Sequence, residues 1–244
     1  NGLALGQVKV DDKSNEITAI PQLLQALALQ GCIVTIDAMG CQKDIAAQIV
    51  DKKANYVLAL KGNHATIHQE IGEFFADAVQ PCAEKADSTV APKTMTSLKT
   101  MEKDHGRIEI RRYWQSNDIE WMQDKKLWKN LRTIGMVESI RRVKGNNSIE
   151  RRYYLASLPL DINTFAKAVR GHWGVENQLH WSLDVTFNED QSRARSKNAA
   201  QNLATLRRIA LNLIRKDPLE KVSLRQKRIF AALDTDFLGQ LLGI

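Results

Sequence analysis

The stretch that decides the fold is Cys32-Ile-Val-Thr-Ile-Asp37-Ala-Met-Gly-Cys-Gln-Lys-Asp-Ile-Ala-Ala-Gln-Ile-Val-Asp-Lys-Lys-Ala-Asn-Tyr56-Val-Leu-Ala-Leu60-Lys61. It opens on a β-branched run, Ile33 to Ile36, of the kind buried on both faces of a sheet, and the run ends on Asp37. Residues 43–53 then predict a helix, and Tyr56 to Leu60 a second buried strand ending on Lys61. Strand, helix, strand at this spacing means parallel strands joined by a right-handed crossover. Upstream, Ser14 and Asn15 offer N-caps to a helix reaching Leu29, with Ile17, Ile20, Leu23, Leu24 and Leu27 at helical spacing. Pro21 argues for a start nearer Ile20, and Gly31 stops the helix. Residues 3–10 partly alternate and predict a strand ending at Asp11 and Asp12, while His64 to Val79 predicts another amphipathic helix. These elements make an α/β sheet.

The pattern changes at residue 80. Pro81, Pro92 and a polar stretch lead into three predicted strands, Arg107–Trp114, Thr133–Val143 and Glu150–Leu158. The last two are separated by Gly145-Asn146-Asn147, a good hairpin turn. After Pro159 the chain reads as helical to its end, with a break at Asp217-Pro218. The organisation is therefore residues 1–79, a β-rich insertion over 80–160, and helices over 161–244.

Composition narrows the function. The 244 residues are 43% hydrophobic, enough for a sizeable core, which excludes a disordered or disulfide-stapled chain. Three cysteines, Cys32, Cys41 and Cys82, with no C-x-x-C pair, read as reduced cytosolic thiols. No apolar run approaches a membrane span, and nothing reads as a signal peptide. The chain begins at Asn1 without Met and reads as a piece of something longer. Thirty-five basic residues against 28 acidic leave a net charge of +7. The excess sits late: residues 1–75 carry 6 basic and 8 acidic side chains, whereas 76–165 carry 16 and 12 and 188–244 carry 11 and 6. An acidic front with a basic middle and tail suits a protein that grips a polyanion. It equally suits an ordinary solvated basic face.

Several groups could carry chemistry. Asp37, at the carboxyl end of a buried parallel strand and near Gly40, sits where open α/β sheets place their ligands; a turn aspartate capping its own backbone is the alternative. Lys61 follows the next strand end in the same way, or is a solvated loop lysine. In Arg170-Gly-His-Trp-Gly-Val-Glu-Asn-Gln-Leu-His-Trp-Ser-Leu-Asp184, the residues His172, Glu176, His180 and Asp184 recur every four positions, so neighbours share a helical face. That face can present a carboxylate to a metal, with Arg170 and His172 beside it for phosphate. Against this stands a buried helix with self-paired polar groups and Trp173 and Trp181 as core. Arg111-Arg112, Arg141-Arg142-Val-Lys144 and Arg151-Arg152 lie on predicted strands among Tyr113, Trp114, Tyr153 and Tyr154, a mixture suited to phosphate contact and stacking. A strand's charged solvent face looks the same. No G-x-x-x-x-G-K-[ST], G-x-G-x-x-G or G-x-S-x-G occurs, so nucleotide-triphosphate and serine-hydrolase chemistry lack support.

Thr35-Ile-Asp-Ala-Met-Gly-Cys-Gln42, Leu58-Ala-Leu-Lys-Gly-Asn63, His105-Gly-Arg-Ile-Glu109, Arg152-Tyr-Tyr-Leu-Ala-Ser157, Arg170 to Asp184 and Leu183-Asp-Val-Thr-Phe-Asn-Glu-Asp190 resemble the H-repeat-associated proteins. These are Rhs-linked insertion-sequence transposases of DDE type, and the resemblance covers nearly the whole chain. It implies an RNase H-like α/β core, incomplete at its N-terminus, with a β-rich insertion and a helical C-terminal region. It places the second catalytic acid at Asp37 and the catalytic glutamate at Glu176, together holding Mg²⁺ (Mn²⁺ as substitute) for two-metal phosphoryl transfer. The first acid of the family lies in a D-G-K stretch on the first core strand. No D-G-K occurs here, and Asp11 and Asp12 fall on the wrong strand to replace it.

The resemblance implies double-stranded DNA, both element ends and target, as partner, and the reading of the residues themselves offers Lys61, Arg141, Arg142, Lys144, Arg151, Arg152, Arg170 and His172 as contacts. The resemblance leaves homo-oligomer formation open, and calls for no membrane and no nucleotide cofactor, in the bacterial cytoplasm. The rival is a DNA-binding remnant that has lost its chemistry along with the first acid.

Overall fold

The computed structural model of the chain describes residues 3–8, 16–83, 94–104, 107–143, 146–218 and 221–244. Residues 12–170 form one compact unit; residues 1–11 and 171–244 form another.

The first unit is built on six strands, β1 (Ile33–Ile36), β2 (Asn55–Leu60), β3 (Met95–Asp104), β4 (Arg107–Ser116), β5 (Thr133–Val143) and β6 (Asn146–Ala156). They join in one sheet of order β1-β2-β6-β5-β4-β3. β1 and β2 are parallel, as the strand–helix–strand spacing predicts, and every other pairing is antiparallel. The expected burial of β1 on both faces is corrected: among the described residues it is an end strand of the sheet, with Ile33 exposed and Val34 to Ile36 half-buried. The insertion strands thus continue the sheet begun by β1 and β2. The seam between them is β2 against β6, with Leu58 opposite Leu155 and Leu60 opposite Tyr153. Ser157 closes the end of the seam: its hydroxyl accepts the Tyr56 N–H at 2.8 Å and donates to Asn55 Oδ1 at 3.1 Å.

Strand alternation sends one set of side chains to each face. Tyr56, Leu58, Leu60, Ile134, Met136 and Leu155 pack against α2 (Lys43–Asp51) and α3 (Ala65–Ala83), through Ile45, Ile49, Ile67, Ile71 and Phe75. Phe75 also stacks on Tyr153, with ring centres 6.5 Å apart. On the opposite face α4 (Ile162–Gly174) presents buried Phe165, Ala166 and Val169, and Phe165 meets Tyr154 edge-on at 5.7 Å. Gly135 of β5 lies beneath that phenyl ring. A Cβ there would come within 2.3 Å of Phe165 Cζ, so glycine is required by close approach.

Helix α1 (Glu16–Ala26) contains Pro21 in its interior, where the sequence predicts a start nearer Ile20. Its caps, Ser14 and Asn15, lie outside the described residues, as do Asp11 and Asp12. Strand β6 starts at Asn146, four residues before the predicted start, because it pairs with β5 right up to the turn, Val143 opposite Asn146. Strand β3 has no counterpart among the predicted strands. It is an edge strand rich in Lys, Glu and Thr, without the apolar run that marks a buried strand.

The predicted strand over residues 3–10 is corrected in the second unit. Residues 3–8 have no strand pairing and lie against α6 (Ala199–Lys216). Asn212 captures both backbone groups of Ala4, its Oδ1 accepting the N–H at 2.9 Å and its Nδ2 donating to the carbonyl at 2.7 Å. Gln7 Nε2 donates to Gln201 O and Thr205 Oγ1. A side-chain amide thus supplies the partners that a neighbouring strand would otherwise provide. Helices α5 (Trp181–Phe187), α7 (Leu224–Leu233) and α8 (Thr235–Leu242) complete the unit. Lys227 ties α7 to the end of α6 by donating to the Asp217 carbonyl at 2.9 Å and pairing with its carboxylate at 2.8 Å, both side chains nearly fully buried. Among the described residues no helix is long and apolar enough to cross a membrane.

Replacing Gly135 with alanine should destabilise the protein by about 1–3 kcal/mol, because the Phe165 ring must shift to admit the methyl group. Urea unfolding measures this. Phe165→Leu in the same chain should recover part of the loss, since the two residues share one contact.

Candidate active site

The loops at the carboxyl ends of β1 and β2 are cross-linked by their own side chains. Asp37 follows β1 directly and is exposed. Its Oδ1 accepts the Gly40 N–H at 3.3 Å, which bends the loop back over the strand end. Gly40 permits that return: a Cβ would meet Ile36 Cγ2 at 2.3 Å and Ile20 Cδ1 at 2.7 Å, so α1 and the strand end close over it. Asn63, just after β2, donates to the Ala38 carbonyl at 2.7 Å. The ring Nε2 of His64 lies 2.6 Å from the Cys41 carbonyl, and the same ring meets buried Trp128 edge-on at 5.5 Å. The Asp37 turn is therefore held from both sides, with the carboxylate at its exposed tip.

Lys61 is exposed at the same edge, immediately after β2. Asn63 and His64 were not singled out by sequence reasoning. Their role depends on the parallel register Ile36 opposite Leu58, which carries β2 two residues past the end of β1 and sets Asn63 and His64 beside the loop after Asp37.

Cys41 is fully buried beneath this loop, and burial pushes its thiol up to about 12. Tyr56, also fully buried, is raised by burial first and by Cys41 second, and its hydroxyl donates to the Lys129 carbonyl at 3.1 Å.

The segment carrying Glu176 is not a uniform α-helix. α4 ends at Gly174, residues Val175–His180 form a π-helical turn, and α5 follows from Trp181. A π turn bonds i to i+5 and takes more residues per turn, so the slow drift that four-residue spacing has on an α-helix does not carry through Val175–His180. The Glu176 side chain lies outside the described residues. His172 sits in the last turn of α4, its ring edge-on to Trp173 at 6.1 Å. Trp181 is 60% exposed and so is not core. Asp184 is raised, first by burial and then by the neighbouring Asp190 carboxylate. Among the described residues no three His, Cys, Asp or Glu side chains cluster closely enough to hold a metal.

Most of the arginines predicted to touch phosphate have protein partners. Arg151 pairs with Glu138 at 2.9 Å, Arg152 with Glu150 at 2.7 Å, and Arg170 with Glu102 at 2.8 Å. Glu102 also pairs with the buried Arg111 at 3.0 Å. Burial raises the Glu102 carboxyl, but the Arg111 hydrogen bond and the charges of Arg111 and Arg170 outweigh that and hold it below its ordinary range. Arg141 and Arg142 are exposed near the end of β5, and Lys144 lies outside the described residues.

A family model for the transposase DDE domain matches residues 1–213. The chain belongs to that family. Across 99% of its length it is 44% identical to the "Putative transposase YncI" of Escherichia coli O157:H7, covering 60% of that protein. It is 39% identical to the "H repeat-associated putative transposase YhhI" of Escherichia coli K12, again over 99% of the chain and 63% of the relative. The chain thus spans about 60% of the length of these relatives. Membership agrees with the resemblance read from the motifs around Asp37 and Glu176, and the mixed α/β sheet is consistent with an RNase H-like core.

The buried Cys41 thiol has a pH signature. Its folded value lies above that of an unfolded thiol, about 8.5, so the unfolded chain sheds this proton first as pH rises. Stability should be fully present below pH 8 and decline above about pH 9, Tyr56 adding to the decline in more alkaline solution. Denaturant midpoints from pH 7 to 10.5 measure it, and Cys41→Ala should flatten the lower part of the fall.

Proposed function

We propose that the protein acts in DNA strand cleavage and transfer during transposition of a bacterial insertion sequence, working in the cytoplasm on double-stranded DNA. The observation that carries this reading is Asp37: an exposed carboxylate at the carboxyl end of a parallel strand, on a braced turn, in a chain of the transposase DDE domain family. Glu176, in the irregular turn after α4, is its proposed partner. π turns inserted in α-helices occur frequently at functional sites, which supports assigning a role there.

The donor chemistry suits a hard divalent cation. Asp37 supplies carboxylate oxygen, Oδ1 is occupied only by one long N–H contact, and Mg²⁺ is commonly held by one or two carboxylates with water completing its shell. Asp37 and Glu176 would hold Mg²⁺, with Mn²⁺ able to substitute. When bound, a metal pair lowers the pKa of the attacking water or 3′-hydroxyl and stabilises the leaving oxygen. The chain's own part is to fix Asp37 through Gly40, Asn63 and His64, and to offer Lys61 as a cation for a phosphate at the same edge. The third carboxylate, on a D-G-K stretch, is not among the 244 residues.

Nicking of supercoiled DNA with Mn²⁺ tests the reading, comparing this chain with one extended upstream to the length of its relatives. The extended chain should nick, and Asp37→Asn or Glu176→Gln in it should each lower the rate by about 10³ or more, the loss expected for a principal transition-state stabiliser. The 244-residue chain should be slower than the extended one by a similar factor. Duplex binding without metal-dependent nicking in either form would establish a DNA-binding remnant and overturn the proposal.

A further inference from the structure

The sequence shows three arginine doublets, and strand alternation splits each one. Register places Lys99, Arg112, Glu138 and Arg151 in one row across β3, β4, β5 and β6. Two residues further out comes the row Met101, Ile110, Ile140 and Ile149, and beyond it Lys103, Ile108, Arg142 and Asn147. These three rows share a face, because residues directly opposite and residues two apart point the same way. It holds five cations and one acid. On the opposite face the two intervening rows hold Glu102, Glu109 and Glu150 against Arg111 and Arg141, and the row before them, Leu98, Tyr113, Val137 and Arg152, adds one more cation, which makes three of each sign. One arginine of each doublet therefore enters a balanced face and the other a strongly positive one.

The positive face is also the more open. It is the face that α3 packs on, but only as far as a small cavity of about 180 Å³ between Phe75, Val79, Met136 and the Arg112–Glu138–Arg151 cluster. Beyond that, Met101 is 69% and Ile149 64% exposed. Lys99, Lys103 and Arg142 are exposed and have no ion pair among the described residues. An apolar row thus lies bare between two cationic rows.

From this arrangement we infer that the Lys99–Lys103–Arg142 face of the four-stranded extension is a duplex-DNA docking surface, its two cationic rows on the phosphates bordering one groove and its apolar row over the groove between. Charge complementarity favours this occupant. Geometry agrees: rows four residues apart along a strand lie about 14 Å apart, close to the roughly 12 Å width of the major groove. Apolar side chains facing that groove meet thymine methyl groups. The balanced face, with Arg141 and Arg152, takes no part. The inference rests on the reading of DNA as partner and goes further by choosing the face and its residues.

The test is the salt dependence of duplex binding by the whole chain, with Lys99→Gln, Lys103→Gln and Arg142→Gln combined, against Arg141→Gln and Arg152→Gln combined. Each released phosphate contact contributes about 0.9 to the slope of log K against log salt. The first variant should lower the slope by about 2 to 3, and the second by less than about 0.5. If the triple variant misfolds, Lys103→Gln and Arg142→Gln made singly should each remove about 0.9. An unaltered slope in the triple variant, with the parent chain still binding, overturns this inference alone. Failure of the parent chain to bind duplex DNA overturns the proposed function with it. A triple variant that changes self-association in sedimentation but not DNA binding would assign the face to a second copy, and also overturns the inference.

Discussion

The structure of residues 12–170 depends on the seam between β2 and β6. β2 is paired in parallel with β1 on one side and antiparallel with β6 on the other, so it carries the whole insertion as an extension of its own sheet. The pairing is short, only Val57 to Leu60, but it is mostly buried and ends in the Ser157 hydrogen bonds to Tyr56 and Asn55. Buried backbone groups must find partners, and a slip of one residue would turn Leu58 and Leu155 out of the core face. The register is thereby set for every strand beyond. It decides which face meets α3, which meets α4, and which arginine of each doublet joins which charge environment.

The same strand pair builds the candidate site. Because β1 and β2 run parallel, the loops after them lie side by side, and Asn63 and His64 can reach the backbone of the Asp37 turn. A glycine that no side chain could replace without a clash lets α1 close over the strand end. The turn that carries the carboxylate is held by the Gly40 N–H on Asp37 Oδ1 and by Asn63 and His64 on its backbone carbonyls, an arrangement that limits the reorganisation needed when charge arrives. Glu176 comes from a different kind of element, an irregular turn where α-helical hydrogen bonding gives way to wider spacing.

Much of this was legible in the sequence, and the failures have physical causes. Short apolar runs separated by an amphipathic helix mark parallel strands, so β1 and β2, and the acid and lysine at their ends, could be read directly; the burial expected of β1 could not, because its place at the end of the sheet leaves it half-open. β5 and β6 were marked by aromatic and apolar alternation and a turn. β3 was invisible because an edge strand with an exposed polar face has no such signature. Residues 3–8 alternate like a strand yet have none to pair with, and an asparagine on α6 takes their backbone bonds instead. The π turn at Val175–His180 cannot be told from an α-helix by spacing, so the irregular backbone around Glu176 was not foreseen. Arginine doublets read as basic clusters; only the structure shows that Arg151 pairs across the strands with Glu138, Arg152 along its own strand with Glu150, and Arg170 of α4 with Glu102.

The central claim is that Asp37 and Glu176 serve one divalent metal site. Iron placed in that site and activated by peroxide cuts the backbone beside it, which reports location independently of catalysis. With Fe²⁺ replacing Mg²⁺, cleavage is predicted in two places, the turn around Asp37 and the segment 172–180, with both cuts suppressed together by excess Mg²⁺ and by Asp37→Asn. Cuts confined to one of these segments, or unchanged in Asp37→Asn, would contradict the shared site.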